Sequence, residues 1–401
     1  MGNFITFLLV LFALAALLRI DFFFTILYLY LGVYLVSRFW LQQILKHLEI
    51  SRTLPRRAFW GETVTVSLKL QNQSRLPVPW LRLNESFPVA LATPPFVRQV
   101  ITLGGKAGYH LQYSLKARKR GYYRIGPLTL ETGDLLGIKE ALSDRHEADE
   151  LIIYPKIVPL SRLGLPTHSP QTILPTPLPL FQDPTRLIGV RDYLVGDNPR
   201  HIHWPATAAT GRLLVKQFQP AIARDNAIFL NLNRADYAQQ GYPEPAIELA
   251  IVTAASLAHH IIVFEKLPLG LVTTGFDPLT GHTQRFKLPP GKGRDHLGQI
   301  LEVLARVQSA EEEAPFLESI RQEAVHLAWG TTLIIITSHP SDDLVASILF
   351  LKRSGFPVSL VLVDPPRTRL QLQPGFKQEL NFPVFKIRRE EDIKEWSPRM
   401  N

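Results

Sequence analysis

Distinct rhythms of apolar and polar residues divide the chain. The first is nearly continuous apolarity. Phe4–Leu18 is broken only at Thr6, and Phe22–Trp40 only by Thr25, Gly32, Ser37 and Arg38. Roughly 20 helical residues cross a bilayer. The second stretch therefore qualifies, and the first reaches across with little tilt or with local thinning. Arg19-Ile20-Asp21 is the polar break between them, which predicts a transmembrane helical hairpin over residues 1–45 in contact with lipid through residues 4–41. A signal peptide is the alternative, but no basic residue precedes the apolar run and no small-residue cleavage site follows it. Tyr28, Tyr30, Tyr34 and Trp40 supply rings for the interface or for the partner helix. Arg38, Lys46, Arg52, Arg56 and Arg57 follow the second stretch. The positive-inside rule then places the rest of the chain and both termini in the cytoplasm, as a two-pass plasma-membrane protein.

The second rhythm is alternation. Glu62–Leu70 alternates polar and apolar residues, as a half-buried strand does. Further strands are expected at Trp80–Leu83, Phe96–Leu103, Tyr109–Leu115, Gly121–Ile125 and Leu128–Thr132. Their short spacing predicts an all-β antiparallel sandwich over residues 46–159. Lys116, Arg118, Lys119 and Arg120 read as a solvated basic edge. Asn72-Gln73-Ser74 and Asn84-Glu85-Ser86 match a glycosylation pattern that has no meaning in a cytoplasmic domain. Residues 160–185, with Pro166, Pro170, Pro175, Pro177 and Pro179, form an extended Pro-rich connector.

The third rhythm is that of buried strands without alternation, separated by helices. Strands are expected at Ala227–Leu232, Leu269–Thr274, Thr331–Thr337, Pro357–Asp364 and Pro383–Ile387. Helices are expected at Pro243–Phe264, Asp295–Val307, Ala314–Ala328 and Asp342–Arg353. This order predicts an α/β doubly wound parallel sheet, in a third domain over residues 186–401.

Composition adds two constraints. The absence of cysteine among 401 residues excludes disulfides and thiolate metal sites. A formal charge of +9 favours acidic partners, with a generic basic surface as the plainer reading.

The densest chemistry lies in Arg191–Gln217. Arg191, Asp192, Asp197, Arg200, His201 and His203 are set there among Tyr193 and Trp204. Gly196-Asp197 reads as a turn and helix cap, with Pro199 in the first turn. Gly211 then breaks a helix ahead of a strand starting at Leu213–Val215. Two readings are open. In one, the charges pair and brace the α/β domain, with Trp204 as a core plug; in the other, they form a partner-docking surface. The alternation of Asp and Arg favours the brace, with Arg191 and Arg200 as the better contact residues.

This stretch resembles the signature of the bacterial "domain of unknown function 58" family. The matching positions are Arg191, Asp192, Tyr193, Gly196, Asp197, Arg200, Ile202, Trp204, Ala206, Ala208, Gly211, Leu213, Val215 and Lys216. Pro205 and Thr210 depart from the pattern. Lys119–Pro127 and Ile153–Lys156 are similar to its upstream blocks, so the resemblance covers most of residues 60–390. It implies a von Willebrand factor A-like α/β domain and work beside an AAA-type ATPase of the MoxR kind, in assembly or maturation of a partner.

Such domains often bind Mg²⁺ through D-x-S-x-S after the first strand and an aspartate after a central strand. Here Asn231, Asn233 and Ala235 stand at the first set and His339 at the aspartate, with Asp236 one residue out of register. Without carboxylates to offset dehydration of a hard divalent ion, the metal site is degenerate. His201 and His203 lack a third ligand nearby, and no metal or cofactor is expected. Gly291-Lys292-Gly293-Arg294 lacks the hydroxyl residue of a phosphate loop, and Ser256 lacks a nucleophile elbow. The functional expectation is a non-enzymatic, membrane-anchored cytoplasmic adaptor with a protein partner and no specific nucleic acid. The alternative is a membrane-bound hydrolase or metal-dependent enzyme using Asp197, His201 and His203.

Overall fold

In the computed structural model, the described residues are 6, 10, 12–13, 17, 21–92, 94–133, 140–160, 182–193, 201–220, 225–237, 243–310, 316–328, 330–339, 341–363 and 382–396. They fall into two compact units. One is Met1–Lys156 with Leu301–Val307; the other is Ile157–Ile300 with Gln308–Asn401.

The first unit begins with α1 (Asp21–His47), a 27-residue helix long and apolar enough to cross a membrane. Most of the Phe4–Leu18 segment, and with it the first half of the expected hairpin, lies outside the described residues. Phe22, Leu29, Leu35, Val36 and Phe39 are exposed on α1. The helix then runs into β1 (Leu48–Thr53) without a break. The strands that follow are β2 (Arg57–Phe59), β3 (Thr63–Asn72), β4 (Val78–Ser86), β5 (Phe96–Leu103), β6 (Gly108–Lys116), β7 (Gly121–Ile125), β8 (Leu128–Gly133), β9 (Glu140–His146) and β10 (Asp149–Tyr154). They form sheets ordered β1-β3-β6, β2-β10-β7 and β5-β4-β8-β9. The alternation read at Glu62–Leu70 is that of β3, whose Val64, Val66, Leu68 and Leu70 point inward.

Ile44 of α1 is fully buried in the same apolar cluster as Leu68, Leu70, Leu81 and Leu83. Trp40 donates its indole N–H to Pro77 O at 3.0 Å, and His47 O accepts from the Gln73 backbone at 2.8 Å. The end of the apolar helix is thus part of the β unit's core, where the sequence reading had ended a separate segment at residue 45. Arg52 on β1 is a buried cation. It donates to Glu85 Oε1 and Asp149 Oδ2, each at 2.6 Å, and to Glu147 O. Glu85 also accepts from the Tyr113 hydroxyl at 2.5 Å. Burial opposes the Arg52 charge, but the two carboxylates outweigh it and raise its pKa; burial and then Glu85 push the Tyr113 phenol up.

The expected solvated edge at Lys116–Arg120 is corrected at one residue. Lys116, Arg118 and Lys119 are exposed, whereas Arg120 is buried and donates to the carbonyls of Leu304, Ala305 and Val307 within the first unit. A guanidinium has enough donors to satisfy several carbonyls left open at a helix end.

The second unit opens with β11 (Gln182–Asp192), which takes in residues 182–185 that the Pro-rich reading had given to the connector; residues 161–181 lie outside the described set. α2 (Trp204–Thr210), β12 (Leu214–Pro220), β13 (Asn226–Leu230), α3 (Arg234–Tyr237) and α4 (Pro243–His259) follow, with a π-helical turn at His260–Phe264. Next come β14 (Leu269–Asp277), β15 (His282–Gly291), α5 (Gly293–Arg306, whose residues from Leu301 on belong to the first unit), α6 (Phe316–Ala324), β16 (Thr332–Thr337), α7 (Asp342–Arg353), β17 (Val358–Val363), β18 (Val384–Ile387) and α8 (Glu390–Lys394).

One six-stranded sheet, ordered β15-β14-β13-β16-β17-β18, organises this unit; it is parallel except for the β14–β15 pair. β13, β16 and β17 are buried at every residue, as strands covered on both faces are. α4 is also apolar and long enough to cross a membrane, but most of its apolar stretch is buried, and it serves as a core helix. Ser256 is held inside it, accepting from Val158 N at 2.9 Å and donating to Val252 O at 2.6 Å.

Candidate functional site

Two sites in the second unit draw on the residues singled out by sequence. The first is the signature segment. Val215 of β12 is flanked on both sides, by Arg191 in the β11–β12 ladder and by Ile202 through an isolated bridge. Tyr193 N donates to Leu213 O at 2.9 Å, and His203 N to Leu214 O at 2.8 Å. The segment therefore leaves one edge of β12 and returns along the other. Residues 194–200, including Gly196, Asp197 and Arg200, lie outside the described residues, and so does the cap expected at Asp197.

α2 starts later than that cap, and His203 serves it: its Nδ1 accepts from Ala206 N at 3.1 Å, with Pro205 in the first turn. An acceptor Nδ1 carries a lone pair, so the ring proton sits on Nε2. Gly211 ends α2 with φ 69, the left-handed conformation that glycine adopts without strain. The helix stop at Gly211 and the strand after it were therefore readable from sequence.

Trp204 corrects the brace reading. It is 65% exposed, at the first position of a helix with no buried residues. Arg191 and Asp192 are exposed as well, and an Arg191 Nη donates to the Asp192 carbonyl at 3.1 Å.

The second site is the carboxyl end of β13 and β16, where the strand order reverses direction; in open α/β sheets such a switch point is the default crevice. Asn231 lies there, 2% exposed. Its Nδ2 donates to Asp236 Oδ2 at 2.7 Å and to Thr337 Oγ1 at 3.1 Å, and its Oδ1 accepts from Asn233 N at 3.0 Å. Asn233 Oδ1 in turn accepts from Ala235 N at 3.2 Å, opening α3. That turn swings Asp236 back to Asn231, a proximity that the register of the sequence pattern concealed. Tyr237 donates its hydroxyl to Asn231 O at 2.8 Å; burial, with Asp236 behind it, pushes the phenol up. Ser338 is buried beyond β16, and His339 Nδ1 is buried without a hydrogen-bond partner among the described residues. The oxygens that a divalent ion would need here are engaged by a neutral amide. Among the described residues no three His, Asp or Glu side chains converge as a metal site.

Comparison with known proteins bears on the signature segment directly. Residues 189–328 match the family described as "Protein of unknown function DUF58". That match takes in the described signature residues, Asn231, Asn233 and Asp236, and is shorter than the resemblance expected over most of residues 60–390. A curated relative, the "Uncharacterized protein YeaD" of Bacillus subtilis, is 21% identical over 207 residues, which is 50% of this chain and 50% of that protein. The chain thus spans about half the length of this relative. Among solved structures, the CARDB domain of a Pyrococcus furiosus protein is 13% identical, with a TM-score of 0.21 over 26% of this chain and 86% of that domain. A β-glucosidase from Listeria innocua is 13% identical, with a TM-score of 0.18 over 26% of this chain and 16% of that enzyme. Scores this low carry no argument about this chain. The DUF58 match indicates no enzymatic family.

Proposed function

We propose that this chain is a membrane-anchored interaction protein that captures a protein partner in the cytoplasm through its signature segment. The observation that carries the reading is Trp204, 65% exposed at the head of α2, in a segment whose Arg191 and Asp192 are exposed as well. Tryptophan and arginine are the side chains that most often dominate binding energy at protein interfaces. Val190 of β11 and Leu213, just ahead of β12, are also exposed.

The anchor is α1 together with the Phe4–Leu18 segment, crossing the membrane as a hairpin. The partner implied by the family resemblance is an AAA-type ATPase of the MoxR kind, engaged in assembly or maturation of a client. The α/β unit is read as a von Willebrand factor A-like domain, supported by its order β15-β14-β13-β16-β17-β18 with one antiparallel edge strand and a switch point at Asn231. Because Asn231 supplies an amide where a divalent ion would need a carboxylate, the partner docks without metal. Capture from native membranes with the full-length protein tests the proposal: Trp204→Ala should abolish recovery of the partner while leaving membrane association intact. Recovery equal to wild type would refute it.

A further inference from the structure

We propose that the rim of the β unit beside α1, carrying Arg75 and Lys106 together with Lys46 and Arg38 of the helix, is a docking face for anionic phospholipid headgroups. This inference rests on the reading of α1 as a membrane-spanning helix. It starts from a pair of loops built around a buried asparagine. Asn72 is 0% exposed; its Nδ2 donates to Leu76 O and Gly104 O, both at 2.9 Å, and its Oδ1 accepts from Ser74 N at 3.0 Å and Ser74 Oγ at 2.7 Å. Lys106 N donates to Ser74 O at 2.8 Å, and a Cβ placed on Gly105 would lie 2.1 Å from Arg75 O. The loops at residues 73–77 and 104–107 are thus locked together, and Lys106 is held at φ 60, a conformation that a lysine adopts only when its surroundings impose it.

The same loops are fastened to the helix. Gln73 bonds to His47 O, and Pro77 O receives the Trp40 indole, so residues 73–77 run back along about 10 Å of α1 toward its exposed apolar part. Phe39, Val36 and Leu35 are exposed there, and Arg38, set between Val36 and Phe39, is the first basic residue of α1. Arg38, Lys46, Arg75 and Lys106 are all exposed. A rigid rim of cations level with the last turns of a spanning helix lies in the headgroup layer, where an anionic leaflet attracts basic side chains.

The test uses the full chain in nanodiscs of phosphatidylcholine alone or mixed with phosphatidylglycerol, with hydrogen exchange read on peptides covering 73–77 and 104–107. Exchange should be roughly fivefold slower or more in the anionic discs, the factor expected per basic residue near such a leaflet. The difference should shrink at high salt and vanish in Arg75→Glu/Lys106→Glu, whose changes are at exposed positions. Equal exchange in the two lipids, with the protein incorporated in the discs, would overturn the inference alone. Protein that elutes apart from both kinds of disc would overturn the anchor reading and this inference with it.

Discussion

At the scale of single residues, Asn231 is the side chain whose chemistry is most sharply defined. Its amide sits between Asp236 and Thr337 as a donor, where a carboxylate could only accept. Asn231→Asp should therefore cost about 1–3 kcal/mol at neutral pH, the usual cost of a buried polar group deprived of its partner. The new carboxylate beside Asp236 raises the folded-state pKa of one of the two above its unfolded value. The deficit relative to wild type should accordingly shrink at acid pH, where the pair shares a proton, and grow as pH rises through that value. Chemical denaturation of the second unit across pH checks it; a deficit independent of pH would contradict the hydrogen-bond assignment. Millimolar Mg²⁺ should leave wild-type melting unchanged, whereas a ligand at 100 times its dissociation constant adds about 2.7 kcal/mol.

At the scale of elements, β15 and α6 are joined by Glu323, 8% exposed, which meets Lys287 at 2.5 Å and Arg285 at 3.5 Å. Burial alone would raise this carboxyl, but Lys287 and then Arg285 hold it below the ordinary carboxylate value. A depressed folded-state pKa contributes stability that is present above the unfolded value, near 4.3, and lost as pH falls through the folded one. Lys287 is half exposed, so solvent screens the pair. Lys287→Met should cost about 1 kcal/mol at neutral pH and close to nothing at about pH 2, as read by denaturation midpoints at the two pH values. An equal cost at both would assign the effect to packing.

The same pair shows where sequence reasoning stops. β13, β16, β17 and α7 were legible because burial on both faces writes an unbroken apolar run and because Asp342–Arg353 has charged ends. β15 was missed: His282–Gly291 is largely exposed, and its pairing with β14 depends on a turn at residues 278–281 rather than on its own pattern. β1 was missed because it continues from α1 with no turn residue between them. In the signature, the stop at Gly211 and the strand after it were legible from local conformational preference. The exposure of Trp204 and the return of Asp236 to Asn231 were not, because both depend on which neighbours the fold brings up.

At the scale of the whole molecule, the chain is read as an anchor continuous with a β unit and an α/β unit that offers a docking surface. α1 shares the core of the β unit through Ile44, so Ile44→Ala should cost about 2–5 kcal/mol of that unit's stability. Thermal melts in detergent check this, and an unchanged melt would separate anchor from domain. Protease added outside intact cells should leave residues 60–401 uncut, and cleavage there with lysis controls negative would reverse the topology. The most direct test of the central claim measures Trp204→Ala in two ways on one preparation: its melting temperature and the recovery of partner from native membranes. A change at an exposed site is worth at most about 0.5 kcal/mol, so melting should match wild type while the partner is lost. A variant that melts early, with a loss of about 3–5 kcal/mol, or that recovers its partner fully, would contradict the claim that this tryptophan is a docking residue.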